Sequence, residues 1–173
     1  TSDDQRVALM RYVQAGGGLM GIHIATGTER NWKWFKQMIG ATFDRHPPAQ
    51  KFTVRVIDNS HPSVSHLPDE WIVEDEPYYV KEFNPGVRVI MINDLNTIND
   101  KNEKPEVFGN LYPSAWCNTF DGGRQWYTSL GHFDQIYSDE NFLKHLLEGL
   151  KWVIVNGKPD YKKAYSQSLS DIR

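Results

Sequence analysis

Three consecutive glycines, Gly16-Gly17-Gly18, separate a helical pattern from a short apolar run, Leu19-Met20-Gly21-Ile22. Ahead of them, Ser2 or Thr1 can cap a helix whose first turn carries Asp3 and Asp4, and Val7, Leu9, Met10 and Val13 recur at helical spacing. Glycine stops that helix because it adopts left-handed dihedrals without steric cost. The run that follows has the uninterrupted apolarity of a strand covered on both faces, so the order helix, glycine stop, buried strand predicts an α/β chain with a parallel sheet.

The rest of the sequence fits one domain. A second helix is predicted from Asn31 to Gly40, with Trp34, Phe35, Met38 and Ile39 on one face. Lys51–Ile57 alternates as a half-buried strand, His61 to Pro68 is rich in turn signals, and Val87–Ile92 is a further apolar strand. Residues 93–109 are polar and predict a surface excursion. Ser114–Phe120 and Arg124–Leu130 flank Asp121-Gly122-Gly123 and predict a hairpin at one edge of the sheet. Asp139–Val155 is the clearest helix, with an apolar face of Phe142, Leu143, Leu146, Leu147, Leu150, Val153 and Ile154, and Asn156-Gly157 stops it. On that wheel His145 lies off the stripe and is expected to face solvent.

Composition narrows the function. With 19 basic against 22 acidic residues the formal charge is −3, which gives no reason to expect nucleic acid as a partner. No apolar run approaches the roughly 20 residues that span a bilayer, no signal peptide opens the sequence, and no membrane partner is expected. A single cysteine, Cys117, excludes an internal disulfide framework and any multi-cysteine zinc or iron–sulfur site. It falls mid-strand, where it reads as a small packed side chain and not as a nucleophile. Aromatic residues make up 13% of the chain, a load that either fills a core or lines a sugar-stacking cleft. The glycines at 16–21 precede a strand, so they are no dinucleotide fingerprint; P-loop, His-Glu-x-x-His and Gly-x-Ser-x-Gly motifs are absent.

Histidines offer the chemistry. His23 and His132 each follow a predicted strand, the position where open α/β sheets bind ligands, and His46 lies between a helix end and a strand. Imidazole serves such a place as acid, base or metal ligand. In Glu74-Asp75-Glu76-Pro77-Tyr78-Tyr79, three acids run into an aromatic pair, so one carboxylate can turn inward as base or ligand. Trp116 and Arg124, on or beside the hairpin, are either structural or a stacking face and a clamp for a ligand. His61, His66 and His145 read as bystanders.

Taken in order, these segments resemble the trehalose-utilisation (ThuA-like) family. The resemblance is carried by Gly16-Gly17-Gly18-Leu19-Met20-Gly21-Ile22-His23, Ile39-Gly40-Ala41-Thr42-Phe43 with His46-Pro47, His61-Pro62, Asp75-Glu76-Pro77-Tyr78, Pro113-Ser114-Ala115-Trp116, Gly123-Arg124 and Tyr127-Thr128-Ser129-Leu130-Gly131-His132. It implies a fold similar to class I glutamine amidotransferases and flavodoxin-like proteins: a three-layer sandwich with a mainly parallel sheet and an antiparallel hairpin at one edge. The amidotransferase cysteine is missing; Ile22-His23-Ile24-Ala25 stands at the nucleophile turn. The family's opening strand, helix and second strand have no counterpart ahead of Thr1. The expectation is therefore an N-terminally incomplete domain at 1–157 with a polar tail at 158–173, and homo-oligomerisation through an exposed sheet edge.

The resemblance also implies carbohydrate metabolism. Residue by residue it assigns His23, His46, Glu76 and His132 to catalysis or to a divalent transition metal, and Tyr78, Trp116 and Arg124 to binding a small-molecule carbohydrate. The expected activity is a sugar hydrolase, lyase or isomerase in a soluble cytoplasmic or periplasmic protein. The alternative is a non-catalytic sugar-binding or accessory domain.

Overall fold

A computed structural model describes residues 1–101, 104–154 and 157–170. Helix α1 (Asp3–Gln14) opens with a capping box: the Gln5 backbone N–H donates to the Ser2 hydroxyl, while the Ser2 N–H donates to the Gln5 side chain. The chain then turns through Gly16 into β1 (Leu19–Ile22), passes a single-turn segment at His23–Gly27, and enters α2 (Lys33–Ile39). Six further strands precede the second half of the fold's core. They are β2 (Thr42–Arg45), β3 (Gln50–Val56), β4 (Glu70–Asp75), β5 (Tyr79–Lys81), β6 (Arg88–Asp94) and β7 (Leu111–Phe120). Strand β8 (Gly123–Thr128) and helix α3 (Glu140–Ile154) complete it. Val155 and Asn156, included in the predicted helix end, lie outside the described residues.

The main sheet has the order β1-β8-β7-β6-β3-β4, and β2 pairs with β5 in a separate ribbon. The expected mainly parallel sheet is corrected here. Among the described residues only β1 and β8 pair in parallel; β8–β7, β7–β6, β6–β3 and β3–β4 are antiparallel. The expected hairpin is present as β7–β8, turned by Asp121 and Gly122, both at positive φ, but it lies within the sheet and not at its edge. The chain is thus a mixed α/β fold. Alternation along β8 explains the layers at this end: Trp126 points to α3 and Tyr127 to α2, so helices cover both faces of β1 and β8.

Because antiparallel neighbours alternate in direction, β1, β8, β6 and β4 all run the same way, and their carboxyl ends share one end of the sheet. A flat sheet would hold β8 and β4 about 19 Å apart, four spacings of ~4.8 Å. Yet the Gly131 N–H, beyond β8, donates to Asp75 at the end of β4 over 2.6 Å. The sheet therefore curls until its two sides meet. Register shifts in the β6–β7 pairing around Val89, Met91 and Ile92, next to Pro113 in β7, supply bulges that bend strands in this sense.

The core forms around Trp34, Trp116, Trp126, Tyr112, Tyr127, Met38, Ile90 and Phe142. Cys117 is buried in β7, and burial pushes its thiol up to about 11, as suits a packed side chain. Helix α3 corrects two expectations. Its sheet-facing stripe is Phe142, His145, Gly149 and Val153, whereas Leu143, Leu147, Leu150 and Ile154 are about half exposed. Gly149 is the reason, since its bare Cα lies flat on the Trp126 indole where a Cβ would come within 2.6 Å. His145 is consequently fully buried, donating from Nδ1 to the Ser63 carbonyl at 2.8 Å. The predicted excursion at 93–109 also begins inside the core, with Asn93, Asp94, Leu95 and Ile98 buried. Beyond α3, the backbone N–H groups of Tyr165 and Ser166 donate to the Gln14 side chain, fastening residues 158–170 to α1.

Candidate functional site

Three of the four co-directional strand ends, those of β1, β8 and β4, each deliver one side chain to the same point. His23 is the first residue after β1, at φ +48, a left-handed turn uncommon for a residue with a side chain. His132 follows β8 by way of Gly131, and Glu76 follows β4 directly. The ribbon β2–β5 adds His46 after β2 and Tyr78 before β5, on neighbouring ends brought together by the Arg45–Tyr79 pairing.

Hydrogen bonding fixes the tautomers. His23 Nδ1 lies 2.8 Å from the Ser129 carbonyl, which can only accept, so Nδ1 carries the proton and Nε2 presents its lone pair. That lone pair accepts from the Tyr78 hydroxyl at 2.6 Å and faces Glu76 Oε2 at 3.3 Å and His132 Nδ1 at 3.2 Å. His132 Nδ1 is 3.1 Å from the same Glu76 oxygen. His46 donates from Nδ1 to the Pro47 carbonyl at 2.8 Å, leaving its Nε2 3.6 Å from Glu76 Oε1. Phe43 lies against Tyr78, ring centroids 4.4 Å apart, and closes that side.

Burial sets the electrostatics. Desolvation lowers the His23 pKa below its ordinary 6.5, outweighing the Ser129 bond and the Asp75 and Glu76 charges that act the other way, so the ring is neutral near pH 7. Desolvation, reinforced by Glu76 and Asp75, pushes the Tyr78 phenol well up, so it remains a proton donor.

A metal ion fits these donors. His23, Glu76 and His132 offer atoms that all lie within 4.8 Å of one another. The triangle of His23 Nε2, Glu76 Oε2 and His132 Nδ1 has edges of 3.1, 3.2 and 3.3 Å. Bonds of about 2.1 Å in a tetrahedron place ligand atoms about 3.4 Å apart, so little adjustment is needed. The bond from His23 Nδ1 to a carbonyl is the usual means by which a ligating imidazole is oriented.

Of the residues singled out from sequence, the structure brings His23, His46, Glu76, His132 and Tyr78 together. Trp116 and Arg124 lie elsewhere. Trp116 is buried in the core, donating from Nε1 to the Ile39 carbonyl and packed on Tyr127 at 4.4 Å, so its face is unavailable to a sugar ring. Arg124 sits near the start of β8, the end away from His132, stacked over Trp152 and donating to its carbonyl. Two participants were missed: Asp75, whose carboxylate accepts backbone N–H groups from both site loops, and Ser129, whose carbonyl orients His23. Asp75 had one local signal, since it continues the inward series Trp71, Val73 along β4.

A family described as trehalose utilisation matches residues 1–153, a span that includes every one of these side chains. The chain belongs to this ThuA family. A carbohydrate-related role comes with that membership. Among solved structures, a ThuA-like protein from Bacteroides uniformis is 23% identical, with a TM-score of 0.76 over 93% of this chain and 69% of that one. A ThuA-like protein from Parabacteroides merdae is 20% identical, with a TM-score of 0.69 over 90% and 66% respectively. The ThuA-family chain described here thus spans about two-thirds of the length of those two proteins. A β-galactosidase from Rahnella sp. R3 shares the fold at a TM-score of 0.50 and 14% identity, over 83% of this chain and 20% of that one. No curated protein matches the ThuA-family chain. Among the described residues no helix is long and apolar enough to cross a membrane.

Proposed function

We propose that this ThuA-family chain is an enzyme acting on a small carbohydrate of the disaccharide or keto-sugar type, through a divalent transition metal held by His23, Glu76 and His132. The observation that carries this reading is the convergence of two imidazole nitrogens and one carboxylate oxygen on a single point, with edges close to a tetrahedral face. Charge supports it independently. Glu76 and Asp75 bring two carboxyl groups to one place, and among the described residues neither is bridged by lysine or arginine; Glu76 faces histidines and Asp75 faces backbone amides. A dication held at the triangle would offset that charge.

When bound, the ion would supply Lewis-acid polarisation of a sugar hydroxyl or carbonyl oxygen. The chain's own groups do the rest. Glu76 keeps Oε1 free of the triangle, facing His46 Nε2, so the pair can take a proton from a substrate hydroxyl and pass it towards solvent on the exposed side of His46. Tyr78 holds its proton against His23 Nε2, beside the triangle. His132, the most exposed of the three ligands, marks the side from which a sugar approaches. This chemistry suits hydrolysis, elimination or isomerisation.

Elemental analysis of protein purified without chelators tests the reading. One equivalent of transition metal is expected in the parent and none in the His23→Ala and His132→Ala variants. Full metal content in both variants, or turnover of disaccharides and their keto forms unaffected by Glu76→Gln, would remove the cluster from the reaction.

A further inference from the structure

We propose that Asp75 is the positioning residue of this site: one buried carboxyl group that holds the Glu76 and His132 loops at the spacing their side chains need. Asp75 is completely buried, on the inward series of an edge strand where Trp71 and Val73 precede it. An apolar residue would fill that position without needing partners. Asp75 instead accepts three backbone N–H groups: Glu76 at 2.9 Å, Gly131 at 2.6 Å and His132 at 3.1 Å.

The arrangement joins two segments more than fifty residues apart, across the closure of the curled sheet. Gly131, at φ +118, turns its own N–H and that of His132 towards one point, a concave pair of amides suited to an anion. Two residues earlier, the Ser129 carbonyl fixes the His23 ring. The same short loop therefore carries the anchor for His23, the side chain of His132 and the two amides that grip Asp75. The Asp75 carboxyl, through the adjoining amide of Glu76, sets the remaining donor against them. Charged acceptors bind amides more strongly than neutral ones, which is what a tie between an edge strand and a distant loop requires.

The proposal rests on the metal reading for one of its two readouts only. In the first, Zn²⁺ affinity is measured by competition with a chromophoric chelator. Asp75→Asn keeps the shape but turns an NH₂ group against amide donors, and a loss of about 10–100-fold is expected, the range for residues that support metal ligands from behind. Asp121→Asn is the control, because Asp121 accepts from Gln14, Trp34 and Tyr165 far from the site. It is expected to lower stability and leave Zn²⁺ affinity within about twofold. Equal affinities in parent and Asp75→Asn, or an equal loss in Asp121→Asn at matched stability, overturn the proposal.

The second readout is amide hydrogen exchange at Gly131 and His132, measured by NMR without added metal. Protection is expected in the parent and selective loss in Asp75→Asn; equal protection in both overturns the proposal. A parent that binds no Zn²⁺ refutes the metal reading and leaves the positioning role to be decided by exchange alone. If Asp75→Asn does not fold, Gly131→Ala opens the amide pair from the other side, since its Cβ would lie 2.9 Å from Ile22 and Tyr137 atoms. The same selective loss of protection at His132 is then expected, and its retention overturns the proposal.

Discussion

The Tyr78 hydroxyl donates a 2.6 Å hydrogen bond to His23 Nε2, the same lone pair that a metal at this site would require. The direction of the bond follows from the other ring nitrogen, whose proton is committed to the Ser129 carbonyl. Tyr78→Phe is therefore expected to tighten Zn²⁺ binding by roughly 2–10-fold, the equivalent of one net hydrogen bond of about 0.5–1.5 kcal/mol. A chelator-competition titration reads this directly. Unchanged or weaker binding would mean that the hydroxyl does not compete for His23.

His46 and His132 both face Glu76 but are expected to answer differently to removal. His132 Nδ1 completes the triangle, whereas His46 Nε2 approaches only the outer oxygen of Glu76, at 3.6 Å. His132→Ala should abolish stoichiometric metal, while His46→Ala should keep one equivalent bound with affinity reduced no more than the roughly 10–100-fold typical of an outer partner. Metal content after dialysis separates the two. Loss of metal in His46→Ala to the same extent as in His132→Ala would make His46 a fourth ligand.

What was legible in the sequence follows from how local each signal is. His23 and His132 stand at glycine-punctuated strand ends, and a strand end is a local property. Glu76 was marked by the acids running into Pro77 and Tyr78. The direction of the sheet was not legible, because it depends on strands such as Glu70–Asp75, a segment to which the sequence assigns no element and which is defined by its pairing with β3. Trp116 and Arg124 share a hairpin with residues that lead to the site, yet side and end of a strand are settled by packing: Trp116 faces α2, and Arg124 lies at the far end of β8. Helix α3 misled for a related reason. Its leucine stripe is the more apolar one, but Gly149 lets the other face approach the sheet more closely.

That inward face of α3 predicts acid sensitivity. His61 and His145 are buried, their Nε2 atoms have no hydrogen-bond partner among the described residues, and desolvation lowers each pKa to about 4 from 6.5. Below pH 6.5 the unfolded chain takes up protons that the folded chain refuses. Stability is therefore complete above pH 6.5, falls as pH drops from 6.5 to about 4, and loses nothing more from these groups below that. Each histidine can contribute at most about 3 kcal/mol to the fall. Urea unfolding at pH 7.5 and pH 4.5 measures it, with His145→Leu expected to flatten the dependence. Equal midpoints at the two pH values would show that the imidazoles protonate in place.

Replacing Gly149 by alanine sets two effects of opposite sign against each other. On an exposed helix the change is favourable by about 1 kcal/mol, because glycine has more backbone freedom to lose. Here the new Cβ would stand 2.6, 2.7 and 2.9 Å from three atoms of the Trp126 indole. Trp126 cannot yield easily, since it is fully buried and its Nε1–H is bonded to the Ser63 hydroxyl at 3.0 Å. The helix must then retreat from β8, loosening His145 from the Ser63 carbonyl at the same time. Overpacking of this kind costs about 1–3 kcal/mol and outweighs the helical gain. Gly149→Ala is thus expected to lower the urea midpoint. Leu147→Ala, on the half-exposed outer face, should change it much less than a buried leucine would. A rise in the midpoint for Gly149→Ala would show that α3 rides further from the sheet than the close contact with Trp126 requires.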